Sequence, residues 1–431
     1  MRIVPVEKIV GSVSLPGDKS ISHRSVMLSA IANGDSLIRN FSTSADCRAT
    51  VECFRAMGVK IDDEPDNTLR VTGVGKRGLK KPEGALFCDN SGTTMRLMSG
   101  LLSFQNFDSI LTGDESLSKR PMSRIAEPLA EMGARIGLSD GHAPIAVHGS
   151  RLKGVEIAPK IASAQIKSAI LLAGLGAEGR TTVLEKTPTR DHTERMLRWL
   201  GVDVVEEFVG DGIRSITVDG EANLSARDID VPSDISSAMF FLVAAGCMPG
   251  SRVVLTGVGM NSSRTAGLDV LRQSGVKVEI SEIRMQSNEL VADIIVEGGI
   301  RQPDARILIS GSMVPNLIDE IPALSVLGTR LEHGLEVRDA SELRVKESDR
   351  IAAVVTNLRR MGADVDEFDD GFLVRRSELR GATLDCFGDH RIAMSFAVAG
   401  MLAEGETELV GSDCVSVSFP DFFDKIGALA G

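Results

Sequence analysis

The chain has 431 residues, 43% of them apolar and 25% charged, and carries a formal net charge of −12. That length exceeds one ordinary core, so two or three domains are expected, and the composition is that of a globular protein rather than a disordered one. The negative balance, a single Trp and the absence of Tyr argue against a nucleic-acid partner, and the longest uncharged apolar run, 238–248, is well short of the roughly 18 residues of a membrane helix.

The first 17 residues carry Arg2, Glu7 and Lys8 and no unbroken apolar stretch, so no signal peptide is expected and a cytoplasmic location follows. From there one local pattern recurs about six times, at intervals of roughly 70 to 85 residues. A polar start opens an apolar helix, a stop follows, and a strand comes next. Asp18-Lys19-Ser20 opens a helix expected over 20–32, Asn33-Gly34 stops it, and a strand over 36–41 and a second helix over 47–57 follow. Asp89-Asn90-Ser91 is the next start. Ser163-Ala164-Gln165 predicts a helix over 162–174, a strand over 181–184 and a helix over 193–200. Pro232-Ser233-Asp234 predicts a helix over 233–245 and a strand over 252–256. Asn316 to Asp319 and Gly388-Asp389-His390 complete the set, with an amphipathic helix over 351–361 between them. A glycine turn keeps the same rhythm: Met57-Gly58, Met132-Gly133, Leu200-Gly201, Ser274-Gly275, Met361-Gly362 and, as a sixth, Ile426-Gly427.

The helices after the polar starts are apolar nearly all round, as in Met239 to Ala245, so they belong inside, with the sheets outside. Six such units divide into two halves of three. If the chain crosses between halves near each break, residues 1–18 and 234–431 form one α/β domain and 19–233 the other. A linear solenoid is the alternative, but its units rarely exceed about 50 residues.

Helix starts carry unpaired N–H groups and partial positive charge, so several aimed at one place would hold an anion. Lys19, Ser20 and Arg24 stand at the first, without P-loop spacing, and Gly92 at the second removes a Cβ where a ligand could approach. Ser118 to Met122 puts Lys119 and Arg120 before a Pro-started helix. The densest charge run, Glu342 to Arg350, reads by itself as a solvated helix with Glu342–Lys346 and Lys346–Asp349 pairs, yet Lys346, Glu347 and Arg350 also open the second helix of a repeat. Asp319 at its helix entrance reads first as a cap. His142, His148, His192 and His333 show no metal spacing. The six cysteines lack any Cys-x-x-Cys, which suits free thiols.

Taken together, eight segments in order resemble the enolpyruvyl transferase family, in its branch that uses shikimate 3-phosphate. They are 15–24, 90–93, 111–122, Ser163-Ala164-Gln165, Asp319-Glu320, 344–350, Asp389-His390-Arg391 and Ser418-Phe419-Pro420-Asp421. The resemblance implies two inside-out, barrel-like α/β domains of three units each, with the active site between them. It implies transfer of the enolpyruvyl group of phosphoenolpyruvate to the 5-hydroxyl of shikimate 3-phosphate, on the route to chorismate and the aromatic amino acids. No cofactor or metal is implied, nor any nucleic-acid or membrane partner, and a monomer is expected. Carried over by motif, Lys19, Ser20, Arg24, Ser163, Ala164, Gln165, Arg190, Asp319 and Lys346 would bind shikimate 3-phosphate. Lys19, Asn90, Gly92, Arg120, Gln165, Arg350 and Arg391 would bind phosphoenolpyruvate. Asp319, Glu347 and Lys19 would be catalytic.

Three positions depart from the common family pattern. Val417 stands where a Lys is usual, Thr189-Arg190 occupies the region of a Tyr, and Ala164 replaces a second Ser, so that only its backbone would bind. These departures resemble the branch that includes glyphosate-tolerant enzymes, although Gly92 is not the Ala found there. The sister branch acting on a UDP-sugar usually carries a Cys in the loop equivalent to 111–122, and this loop has none. The other alternative, a non-catalytic anion-binding protein on the same scaffold, would be expected to lose Asp319, Glu347 or one of the arginines, and all are present.

Overall fold

Five glycine turns set the period of the fold in the computed structural model, which describes residues 1–210 and 212–430. Gly58, Gly133, Gly201, Gly275 and Gly362 adopt φ between 77 and 94°. In each turn the glycine N–H donates to the carbonyl three residues back, and the next N–H donates to the carbonyl five back, as in Gly58 to Arg55 (2.9 Å) and Val59 to Phe54 (3.1 Å). This satisfies carbonyls that the helix end leaves open, and the left-handed conformation selects Gly. Gly427 does not join them: it lies inside the helix Phe422–Leu429 and has no positive φ, so the sixth turn of the sequence reading is absent.

Among the described residues, six helices are buried along nearly their whole length: Lys19–Ala30, Gly92–Leu102, Ala164–Gly174, Ile235–Cys247, Ile321–Gly328 and His390–Leu402. Four begin on a side chain that accepts a backbone N–H: Asp18 from Ile21 (2.9 Å), Ser91 from Thr94 (3.1 Å), Asp234 from Ser236 (2.8 Å) and Asp389 from Arg391 (2.9 Å). The fifth start differs from its expected form. Val314–Leu317 is a separate short helix, and the buried helix begins only at Ile321, so Asp319 sits in the break between two helices. The helix after Arg120 begins at Ser123, leaving Pro121 outside it.

Among the described residues the sheets share one plan, a short strand parallel to a neighbour that pairs antiparallel with the next strand. Five add a further antiparallel strand, and the sheet of Thr383–Asp385, Thr407–Val410 and Arg2–Ile3 stops at three. In one sheet Ile229–Asp230 pairs parallel with Asn33–Arg39, which pairs antiparallel with Thr68–Val74, itself antiparallel to Lys60–Glu64. In another, Val10–Ser14 pairs parallel with Arg252–Gly259, followed by Glu289–Glu297 and Lys277–Ile280. The two parallel edge strands are exchanged. Val10–Ser14 precedes the first buried helix in the chain but joins the fourth sheet, and Ile229–Asp230 precedes the fourth helix but joins the first sheet.

Two compact units result. One comprises Met1–Pro16, Ser233–Arg284 and Leu290–Gly431, and the other Gly17–Pro232 with Met285–Glu289. Each has its own apolar core and, among the described residues, three of six sheets. The short segment Met285–Glu289 belongs to the second unit by its bonds: Ser287 Oγ accepts from Asp230 N (2.9 Å), and Glu289 Oε1 lies 2.7 Å from His192 Nδ1. Spacing gave no sign of it. In the first unit Phe240, Phe241, Phe419, Phe422 and Phe423 stack edge-on or tilted, with centroids 5.4–6.1 Å apart, which fastens the C-terminal segment to the helix Ile235–Cys247. Among the described residues no helix is long and apolar enough to cross a membrane.

Candidate active site

The second unit gathers its candidates at the starts of its three buried helices. Lys19 Nζ lies 3.3 Å from Asp46 Oδ2, an acid that the sequence reading passed over although it opens the neighbouring helix Ala45–Ala56. Arg24 is buried and fully engaged: Nε donates to Thr193 Oγ1 (2.7 Å), Nη1 to the Ser20 carbonyl (2.8 Å) and Nη2 to Ser168 Oγ (2.8 Å). Its guanidinium thus ties the first helix to the helix Ala164–Gly174, at whose start Ser163, Ala164 and Gln165 stand. Ser163 does not cap that helix with its hydroxyl.

A second group forms around Gly92. Arg120 Nη2 donates to Asn90 Oδ1 (2.6 Å), and Asn90 Nδ2 donates to Asp114 Oδ2 (2.6 Å). Arg96, also missed in the sequence, donates to Gln165 Oε1 (2.6 Å), and Gln165 Nε2 donates to Thr93 Oγ1 (3.0 Å). A Cβ on Gly92 would stand 3.3 Å from Arg96 Nη1 and 3.4 Å from Arg120 Nη1. The missing side chain therefore keeps two guanidinium groups at their present places, and Arg96, one helical turn after Gly92, is where a search for further cations could have found it.

Beneath these groups His23 Nδ1 lies 2.7 Å from Thr50 Oγ1, which is 2.6 Å from Thr94 Oγ1. Burial, then the Lys19 and Arg24 cations, lower its pKa from 6.5 to about 3. Between those values the unfolded chain binds a proton that the folded chain refuses. Stability at this residue is therefore complete above pH 6.5, falls on acidification by up to about 1.4 kcal/mol per pH unit, and levels off below the folded value. Denaturant midpoints at stepped pH should fall less steeply for His23→Gln than for the native sequence, and parallel slopes would exclude this source of acid sensitivity.

The first unit builds its group around one buried cation. Arg350 is 1% exposed, with Nη2 2.6 Å from Glu347, Nε 2.8 Å from Asp389 and Nη1 3.5 Å from Asp319. Burial alone would lower its pKa, but the Asp389, Glu347 and Asp319 carboxylates together push it well above its ordinary value. Arg391 Nη1 donates to the Asp319 carbonyl (3.0 Å), and its Nε lies 3.6 Å from Asp319 Oδ1. Asp319, Glu347, Arg350 and Arg391 are therefore brought together with Asp389, whose role in gripping Arg350 local sequence did not reveal.

The run 342–350 is not one solvated helix. Ser341–Val345 is a 3₁₀ turn, Lys346 is extended, and the helix Arg350–Arg360 starts on Asp349 as cap. Glu342 stands 3.7 Å from Lys346, whereas Asp349 pairs with Arg344 (2.7 Å) instead of Lys346. Burial lowers the Lys346 ammonium from its ordinary value, opposed by Asp319 and Glu342. Val417 ends the 3₁₀ turn Ser412–Val417 and brings no charge. Arg190 lies in the loop between Arg180–Glu185 and His192–Trp199.

Comparison with known proteins agrees along the full length. The family model described as EPSP synthase (3-phosphoshikimate 1-carboxyvinyltransferase) matches residues 3–426. A 3-phosphoshikimate 1-carboxyvinyltransferase of Koribacter versatilis is 47% identical over 428 residues, covering 99% of this chain and 98% of that protein. One of Pelotomaculum thermopropionicum is 50% identical over 419 residues, with 96% and 95% covered. The solved EPSP synthase of Acinetobacter baumannii superposes with a TM-score of 0.87 at 43% identity, over 99% of this chain and 97% of that one. With six repeated helix–sheet units and two anion-suited groups of cations and acids, the chain belongs to the EPSP synthase family.

Proposed function

We propose that the two groups serve one reaction, transfer of the enolpyruvyl group from phosphoenolpyruvate to the 5-hydroxyl of shikimate 3-phosphate. In this reading Lys19, Ser20, Arg24, Ser163, Gln165, Arg190 and Lys346 hold shikimate 3-phosphate, together with the Ala164 backbone. Lys19, Asn90, Gly92, Arg120, Gln165, Arg350 and Arg391 hold phosphoenolpyruvate. That substrate brings up to about three negative charges, so one cation cannot neutralise it, and planar guanidinium forks suit both its carboxylate and its phosphate. Val417 leaves this chain one cation short of the usual family set.

The chemistry is addition followed by elimination. Asp319 accepts the proton of the 5-hydroxyl as its oxygen attacks C2, and Glu347 delivers a proton to C3, giving a tetrahedral intermediate. Glu347 then removes a proton from C3 as the C2–O bond to phosphate breaks, and Asp319 gives its proton to the departing phosphate oxygen. Each acid works in both directions, so neither can be lost without stalling one half of the cycle. The observation that carries this reading is the placement of Asp319 and Glu347 on a single buried guanidinium, Arg350, which fixes the two carboxylates relative to each other.

A phosphate-release assay with shikimate 3-phosphate and phosphoenolpyruvate tests it, and turnover dependent on both substrates is expected. Turnover with UDP-N-acetylglucosamine in place of shikimate 3-phosphate, and none with the latter, would overturn the assignment.

A further inference from the structure

A buried charge group in the second unit lies outside this mechanism. Lys167, on the helix Ala164–Gly174, is 2% exposed at its side chain, and its Nζ stands 3.0 Å from Glu185 Oε1 and 2.8 Å from Glu194 Oε1. Glu194 is on the helix His192–Trp199 and has no exposed side-chain surface. Arg214 lies 3.5 Å from the other oxygen of Glu185, although its closer partner is Glu206, to which its Nε donates at 3.1 Å. Buried ion networks of this kind add little to stability compared with apolar side chains of equal volume. What they supply is direction, and here the direction converges on one residue.

That residue is Thr189. Its carbonyl accepts from Lys167 Nζ (3.3 Å), and both its N–H (2.9 Å) and its hydroxyl donate to Glu185 Oε1. Within the loop 186–190, Thr189 alone is buried. The loop has no ladder of its own, so Thr189 is its anchor, and Arg190 is the next residue. The same two helices are joined a second time: Ser168 Oγ and Thr193 Oγ1 are 2.7 Å apart, and both accept from Arg24. Lys167 and Ser168 on one helix thus face Glu194 and Thr193 on the other.

We infer that Lys167, with Glu185 and Glu194, is a positioning group that clamps Thr189 and so sets where the Arg190 side chain starts. It does not touch substrate. This rests on the assignment of Arg190 to shikimate 3-phosphate and adds what makes that arginine effective. Misplacement by about 1 Å can cost a binding or reacting group most of its effect, and three bonded atoms on the preceding residue prevent it.

The test pairs Lys167→Met/Glu194→Gln, which removes one charge of each sign and leaves Glu185 opposite Arg214, with Arg190→Ala. The paired variant should raise KM for shikimate 3-phosphate about tenfold while KM for phosphoenolpyruvate and kcat change by less than about twofold. In the Arg190→Ala background it should raise KM no further, because the clamp acts through that side chain. An unchanged KM for shikimate 3-phosphate in the paired variant, or effects that multiply when combined, would overturn the clamp and leave the assignment of Arg190 standing. If Arg190→Ala itself leaves this KM unchanged, the assignment fails and the clamp with it. Should the paired variant not fold, Thr189→Val, which loses only the hydroxyl bond to Glu185, decides on the same measurement: a rise of about threefold supports the clamp and none overturns it.

Discussion

Asp319→Asn is expected to bind both substrates and to turn over at least tenfold, and on the order of 10² to 10⁴, more slowly than the native enzyme. The amide keeps the shape of the side chain, and its oxygen can still face Arg350 Nη1 and Arg391 Nε, which stand 3.5 and 3.6 Å from Oδ1. The bond from Arg391 Nη1 to the backbone carbonyl of residue 319 is untouched. The fold around the break between Val314–Leu317 and Ile321–Gly328 should therefore hold. What is lost is an acceptor for the hydroxyl proton. Steady-state kinetics beside a binding titration separate the two effects. A variant whose kcat equals that of the native enzyme would show that the proton goes elsewhere.

Arg350→Met should be the most destabilising change in the first unit. The guanidinium is 1% exposed and stands between Asp319, Glu347 and Asp389, of which Asp389 has no exposed side-chain surface. Removing the cationic partner of a buried carboxylate costs about 3–5 kcal/mol, and the hydrogen bonds that Asp389 keeps, from Ser348 Oγ (3.1 Å) and the Arg391 N–H (2.9 Å), do not neutralise its charge. Asp389 also caps the helix His390–Leu402 through the N–H of Arg391, so strain there reaches the start of a buried helix. Adding Asp389→Asn should restore part of the loss by removing the stranded charge. Arg350→Lys should restore little, since a single ammonium cannot reach three carboxylates as a planar fork does. Denaturant unfolding followed on all four proteins provides the check. Equal midpoints for the native protein and Arg350→Met would mean that the three acids find other partners, and the central place given to this residue would be lost.

Much of the architecture was legible because it is local. A polar cap, an apolar run and a glycine each act within one or two helical turns, so the helix expected over 162–174 is found as Ala164–Gly174 and that over 233–245 as Ile235–Cys247. Five of the six glycine turns have the expected conformation. The sixth, Gly427, failed because a glycine after a single apolar residue can equally continue a helix when nothing demands a turn. The charge run 342–350 misled for a related reason. Charges four apart suit a helix only if the backbone stays helical, and the extended conformation at Lys346 breaks it.

The candidate site was legible as a roster of residue types and not as an arrangement. Lys19, Arg120 and Arg350 could be named, but the acids and amide that aim them, Asp46, Asn90 and Asp389, come from segments 27 to 39 positions away in the chain. Thr189 looked like one polar loop residue among several until Lys167 and Glu185 closed on it.

The sequence by itself determined the repeated helix–sheet unit, its number, the caps and turns that bound it and the family to which the chain belongs, because each is written in residues a few positions apart. Only the tertiary structure decided that the strands Val10–Ser14 and Ile229–Asp230 exchange sheets, that Met285–Glu289 packs with the second unit, and that three carboxylates converge on Arg350. Those outcomes depend on burial, which makes an unpaired strand edge or an unpaired charge costly only once the surrounding chain has excluded water.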